Sequence, residues 1–315
     1  MTNTLETGGT GHSRARRFSL AWLGLTPFFA YVALVFLVPI GFILFEAFRR
    51  TTTSGVTRDP VTQQFVKHTE TSFTFANVHD SLQGIYRTSL VTSVKLSAIT
   101  AVIGAVLGML LAAAVVNSSS AFLRQVVTSA AAVTANFGGI PLAFLFIATL
   151  DANSGVATTF LQDHFGLSLQ DDLHLQLPEL SGLCLVYLYF LVPLMVLVMA
   201  PALEGLKPQW AEAAENLGAS RWTYWRLVAA PVLLPSFLGA VLLLFCSAFS
   251  AYATAYAINA SFPLITIRIN AVLSGNVLAG QENLGAALAL LMIVFVLPLT
   301  VIYQLLQRRT SRWLA

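Results

Sequence analysis

The sequence predicts an all-α membrane protein of six transmembrane helices with both termini on the cytoplasmic side. Three observations carry that prediction. Of 315 residues, 57% are hydrophobic and only 10% charged, with a mean hydropathy of +0.76, whereas soluble domains carry about 25% charged residues. Six apolar runs are each long enough to cross a hydrocarbon core of about 30 Å. Basic residues cluster at the ends of those runs, and placing both termini inside puts ten of the seventeen Lys and Arg in the cytoplasm, as the positive-inside rule asks. The net charge of +3 is small and confined to those clusters, which argues against nucleic acid as a partner.

Residues 1–18 are polar, with a basic cluster at Arg14, Arg16 and Arg17, and read as a cytoplasmic tail. The run over 19–47 is too long for a signal-peptide core of roughly 7–15 residues. It is therefore a true span, expected to kink at Pro27 and Pro39. A Thr-rich stretch of both charge signs, 48–88, follows, and 48–84 is assigned to an extracytoplasmic loop. Arg49 and Arg50 there run against the charge rule, but the remaining loops outvote them.

The second span, 90–116, contains Gly104 and Gly108, either a helix-packing face or a gating hinge. Arg124 marks the short loop after it. The third span, 125–150, is interrupted by Asn136-Phe137-Gly138-Gly139-Ile140-Pro141. That stretch reads as a simple proline kink, or as irregular backbone that lines a cavity. Residues 151–181 carry Asp151, Asp163, Asp171, Asp172 and Glu179 and no Lys or Arg, so this loop faces outward. The fourth span is 182–202, the fifth 231–258 and the sixth 284–306. Between the last two, 259–283 is too interrupted to cross and reads as a short re-entrant or interfacial segment.

The polar stretch 204–235 between the fourth and fifth spans has the punctuation of two short helices. Pro208 suits a first helical turn, Gly218 a left-handed helix end, and Ser220 a cap for the next helix. Glu212-Ala213-Ala214, Gly218 and Val228-Ala229-Ala230-Pro231 stand at fixed gaps. This pattern resembles the EAA loop of binding-protein-dependent ABC importer permeases, with Ala230 where Leu is usual. The resemblance implies a type I importer permease fold, with 85–315 as its core, 19–47 as an added N-terminal helix and 204–230 as the coupling loop. It further implies that Glu212, Ala213, Ala214, Gly218, Arg221 and Pro231 form a surface seated in a groove of a partner ATPase. The implied partners are a second permease subunit in a heterodimer, two ATP-binding subunits that use ATP and magnesium, and an extracytoplasmic solute-binding protein. The implied place is the inner membrane of a bacterium.

The chain itself lacks enzymatic equipment. None of Lys67, Lys95 or Lys207 follows a glycine, so no phosphate-cradling Gly-Lys-Ser/Thr loop exists. His12, His68, His79, His164 and His174 show no metal-binding spacing, and Cys184 and Cys246 lie inside apolar runs. Catalytic residues, metal ligands and a cofactor bound by this chain are therefore not expected. In the fifth span Tyr252 and Tyr256 fall four apart with Phe249 three residues earlier, one helix face that either packs or lines a translocation path. Asn136 and Phe137 are further candidates for that path. An ion-coupled secondary transporter is the competing class, but it calls for ionisable residues within the membrane. No Asp, Glu, Lys or Arg lies near the middle of any span. The apolar segments 28–48 and 136–150 resemble the polyamine, iron and phosphonate branch of the family more than its sugar branch.

Overall fold

The computed structural model describes residues 21–58, 65–172, 174–275 and 283–314. The tail assigned to 1–18 lies outside the described residues. The first span consists of α1 (Ala21–Val32) and α2 (Val38–Ala47), joined by a π-helical turn at Ala33–Leu37. Pro27 is carried inside α1. The widened turn has a local cause at Pro39, which lacks the N–H that would bond the Val35 carbonyl and whose ring crowds that carbonyl. Inserting one extra residue into the turn relieves both defects.

Residues 49–58 and 65–73 form two paired β-strands where the sequence reading placed a loop in an all-α chain. Strand β1 (Arg49–Arg58) pairs antiparallel with β2 (Phe65–Phe73), with a register shift between Thr53 and Gly55. Threonine-rich segments fit the pleated backbone because β-branched side chains lose little freedom there. The base of the hairpin is clamped: Asn77, 3% exposed, donates to the carbonyls of Ala47 at 3.3 Å and Arg49 at 2.7 Å. Asn283 donates to the same Arg49 carbonyl at 2.6 Å. A short helix, α3 (Ala76–Ser81), then leads into the core.

Helix α4 (Gly84–Val116) runs unbroken through Gly104 and Gly108, so no hinge forms there. A Cβ at Gly108 would collide with Met195 and stand 2.8 Å from the Val192 carbonyl oxygen. The glycine pair is a packing face that brings α4 against α8 (Leu180–Glu204), as small residues do in membrane bundles. Between these two helices come α5 (Ala121–Asn136), α6 (Ile140–Leu150) and α7 (Val156–Phe165). The axes of α5 and α6 differ by 102°, which rules out a simple kink in one span. After α6, Asp151 accepts from the Ser154 hydroxyl at 2.8 Å and from the Asn153 and Ser154 N–H groups. The Ser154 hydroxyl, followed by these backbone donors, holds its carboxyl below the ordinary value.

Beyond α8 the chain makes α9 (Pro208–Asn216) and α10 (Arg221–Tyr224), and α10 passes through a π-helical turn, Trp225–Ala229, into α11 (Ala230–Ser250). The expected fifth span, 231–258, is thus displaced: the continuous helix covers 221–250. Pro231 reproduces the situation of Pro39, with Leu227, four residues before it, at the centre of the widened turn. After α11 come α12 (Ala253–Ile258), α13 (Ile265–Leu273) and α14 (Leu284–Leu314). Of the segment read as re-entrant or interfacial, 259–283, residues 276–282 lie outside the described residues, and the rest is packed into the bundle wall. Ile265 and Ile267 are buried, and the Ile265 N–H donates to Ser93 of α4 at 2.9 Å.

Among the described residues five helices are long and apolar enough to cross a membrane, and the α5–α6 pair makes a sixth crossing only if counted as one bent span. The principal core lies between α4, α8 and α11 around Leu96, Tyr187, Leu191, Met195 and Leu244. The first span buries almost nothing along its length. Its far end joins the bundle, where Ala47 packs on Ala286 and Ala287.

Candidate functional site: an exposed loop and two paired helix breaks

The segment between α8 and α11 stands out from the bundle. Lys207 is extended, Pro208 opens α9, and no residue of α9 is buried. Its end is a Schellman closure: Gly218 has φ +75°, its N–H donates to Glu215 at 2.8 Å, and the Ala219 N–H reaches back to Ala214 at 2.9 Å. Ser220 caps α10 by accepting from the Thr223 N–H at 3.2 Å. The result is a short helix held at a fixed angle, with Glu212, Ala213 and Arg221 exposed and Ala214 half-buried.

Two grooves flank that helix. An apolar one of about 390 Å³ is lined by Trp210, Ala213, Ala214, Leu217, Val228 and Val232. A more polar one of about 380 Å³ carries Glu215, Ser220, Arg221 and Tyr224. The two alanines therefore form a face without bulk, which a second surface can approach closely. Pro231 is exposed too, beside Val228 and Val232 of the apolar groove. It lies in the continuous helix of the span, where it shapes the backbone.

The second feature is a pair of interrupted helices that meet. Helix α5 stops at Asn136 and α6 starts at Ile140, with Gly139 at φ +77° between them. Helix α11 stops at Ser250, where Ala251 turns extended, and α12 restarts at Ala253. Thr254, 3% exposed, joins the two breaks: it accepts from the Gly139 N–H at 2.9 Å and donates to the Gly139 carbonyl at 3.2 Å. The freed Ala251 carbonyl accepts from the buried Tyr187 hydroxyl at 3.2 Å and from Thr266 at 3.4 Å. Backbone groups released inside a bundle need such partners, since no bulk water reaches them.

Around these breaks Asn136 and Phe137 are exposed. Tyr252 and Tyr256 keep their rings 5.2 Å apart. Phe249 is separated from them, because the helix that would have aligned the three ends at Ser250. It is 2% exposed and packs between Phe245 and Phe295, at 5.8 and 5.2 Å. Tyr187 was not singled out in the sequence: a tyrosine in an apolar run carries no sign that its hydroxyl serves a backbone break 64 residues away. Among the described residues no three His, Cys, Asp or Glu side chains gather as a metal site.

Residues 104–312, well over half of the chain, match the family described as binding-protein-dependent transport system inner membrane component. The sulfate transport system permease protein CysT of Escherichia coli is 38% identical over 64 residues, 20% of this chain and 23% of that protein. The inner membrane ABC transporter permease protein YdcU of Escherichia coli is 37% identical over 93 residues, 27% of this chain and 29% of that protein. The spermidine/putrescine transport system permease protein PotC of Haemophilus influenzae is 30% identical over 131 residues, 41% of this chain and 49% of that protein. The chain thus spans less than half the length of each of these curated relatives.

Among solved structures, a bacterial ABC transporter involved in import of the acidic polysaccharide alginate aligns with a TM-score of 0.64 at 17% identity, over 93% of this chain and 95% of that chain. A bacterial alginate ABC transporter in complex with an alginate pentasaccharide-bound periplasmic protein aligns at 0.65 and 15% identity, over 94% and 95%. At such identities the likeness is one of fold.

Proposed function

The chain belongs to the family of binding-protein-dependent transport system inner membrane components, and from that premise we propose that it is the permease subunit of an ATP-driven importer. The observation that carries the proposal is the projecting helix α9. It presents Glu212-Ala213-Ala214 between two spans, and the left-handed Gly218 closes it. On this reading the loop is cytoplasmic and seats in a groove of a separate ATPase. Ala213 and Ala214 allow close docking, and Glu212 and Arg221 offer polar contacts at its edge. ATP and magnesium are handled by that partner. A second permease subunit faces this one across the membrane, and a binding protein delivers solute from outside.

The paired breaks at 137–139 and 251–252 are where irregular backbone meets the path, with Asn136, Phe137, Tyr252 and Tyr256 beside it. Phe249 is a packing residue on this view. The solute we propose is small, polar and charged. The curated relatives are named for sulfate, an anion, and for spermidine and putrescine, which are cations, so they support that class without choosing a sign. The polyamine branch is the one the apolar segments resemble.

The test is purification from mild detergent with identification of whatever accompanies the chain. An ATPase with a Gly-Lys-Ser/Thr phosphate loop and a second membrane subunit are expected. Recovery of the chain alone, or only with copies of itself, overturns the reading. Gly218→Val places a β-branched residue in a conformation that costs a non-glycine residue roughly 1–2 kcal/mol. Loss of the ATPase from the purified complex, with membrane insertion intact, is expected of that variant.

A further inference from the structure

We infer that Arg124 is the positioning residue through which displacement of the exposed loop reaches the helix break at 137–139, with α5 as the lever between them. The inference rests on the permease reading, and it assigns a role to a side chain that the reading leaves unused. Arg124 sits in the first turn of α5. Its Nη2 donates to the Val116 carbonyl at 2.8 Å and to the Ser118 carbonyl at 3.4 Å. These belong to the last turn of α4 and the bend after it, where carbonyls have no intrahelical partner. Its Nη1 stands 3.7 Å from Glu204, the last residue of α8. One guanidinium therefore touches the ends of α4 and α8 and the start of α5. Three residues beyond Glu204, Lys207 opens the exposed loop.

The ion pair alone is a weak link, with its side chains 41% and 49% exposed. The joint comes from the fork: a planar group with five fixed donors can hold two carbonyls and face a carboxylate together, which a lysine ammonium cannot. Helix α5 packs along α8 and has a single buried residue, Ala131. Its first turn is tied by Arg124, and the break beyond its last turn is tied by Gly139 to Thr254. From Arg124 to Asn136 the helix spans about 18 Å at 1.5 Å per residue. A hydrogen-bonded helix transmits a push along its axis, whereas Gly138 and Gly139 beyond it have torsional freedom to yield. Displacement entering at Glu204 is therefore absorbed at the break, where Gly139 is bound to Thr254. A polar cavity of about 560 Å³ beside the joint, lined in part by Asn117, Glu204, Lys207 and Tyr224, leaves space for that displacement.

The experiment uses the complex of this chain with its ATPase, and needs no knowledge of the solute. Spin labels are placed at Val133→Cys on α5 and Ala260→Cys beyond α12, with Cys184 and Cys246 replaced by alanine. The distance between labels is read without nucleotide and with ATP and vanadate. We expect the parent to shift by about 1–5 Å, the range of helix movements in switching proteins. Arg124→Ala should retain the ATPase and lose the shift, Arg124→Lys should keep only part of it, and Glu204→Gln should reduce it. A parent-like shift in Arg124→Ala overturns the inference, and so does a parent that binds its ATPase and shows no shift. If Arg124→Ala releases the ATPase, Glu204→Gln decides, since it keeps both carbonyl bonds; an undiminished shift there overturns the inference. A parent that never recovers an ATPase defeats the permease reading itself, a separate outcome.

Discussion

The hydroxyl of Thr254 accepts the Gly139 N–H and also donates to the Gly139 carbonyl, which takes the Ala143 N–H of α6 as well, so one buried side chain supplies the N–H bond that a helix would have given that residue. Replacing it by valine preserves shape and leaves the half-buried Gly139 N–H without a partner, while the carbonyl keeps its bond from Ala143. The cost is about 1–3 kcal/mol for that one group left without a partner. Thr254→Val should therefore melt well below the parent in detergent, while Thr254→Ser, which keeps the hydroxyl, should stay close to it. Equal melting of the valine variant and the parent would mean that water or lipid headgroups already satisfy Gly139. Tyr187 plays the same part for the Ala251 carbonyl from the opposite side of the break.

Helix packing brings consequences of a different size. The contact of α4 with α8 depends on Gly108 having no side chain, since even a Cβ meets Met195 and the Val192 backbone. Gly108→Leu should force α4 and α8 apart, at a cost of about 1–3 kcal/mol or more for overpacking. Lower thermal stability and lower membrane yield are the expected readouts, with Gly41→Leu as a control because its Cβ would meet nothing within 4 Å. Elements defined by their own residues were legible in the sequence. Pro208, Gly218 and Ser220 mark α9 and α10 because first turns, left-handed closures and caps are local chemistry. Gly138, Gly139 and Pro141 announced the α5–α6 break for the same reason. The end of α11 at Ser250 was not legible, because the apolar run continues past it and its stabilising partner sits on α8. The hairpin did leave a signal in its threonines, at 51–53 and at 69, 71 and 74. A composition so strongly helical and apolar outweighed it. Arg124 was visible only as a loop charge, because its contacts converge from the end of α4, the bend after it and the end of α8.

At the scale of the whole molecule, the charge distribution predicts which side of the membrane each end of the bundle meets. Leu217, 87% exposed in the loop after α8, and Phe165, 67% exposed at the end of α7, are suitable reporters. A membrane-impermeant maleimide applied to intact cells should label Phe165→Cys at once and Leu217→Cys only after permeabilisation. The reverse pattern would invert the bundle and remove the loop from reach of a cytoplasmic ATPase. Timing is also built into the bond between Gly139 and Thr254, which joins residues 115 positions apart. Synthesis runs from the N-terminus at about 5–20 residues per second, so Gly139 leaves the ribosome some 6–23 s before its partner. Tyr187, by contrast, is already made when Ala251 arrives. For that interval the first break has neither its hydroxyl nor the helix that carries it, and a nascent chain arrested between residues 139 and 254 leaves the Gly139 N–H open to insertion factors or quality-control proteases.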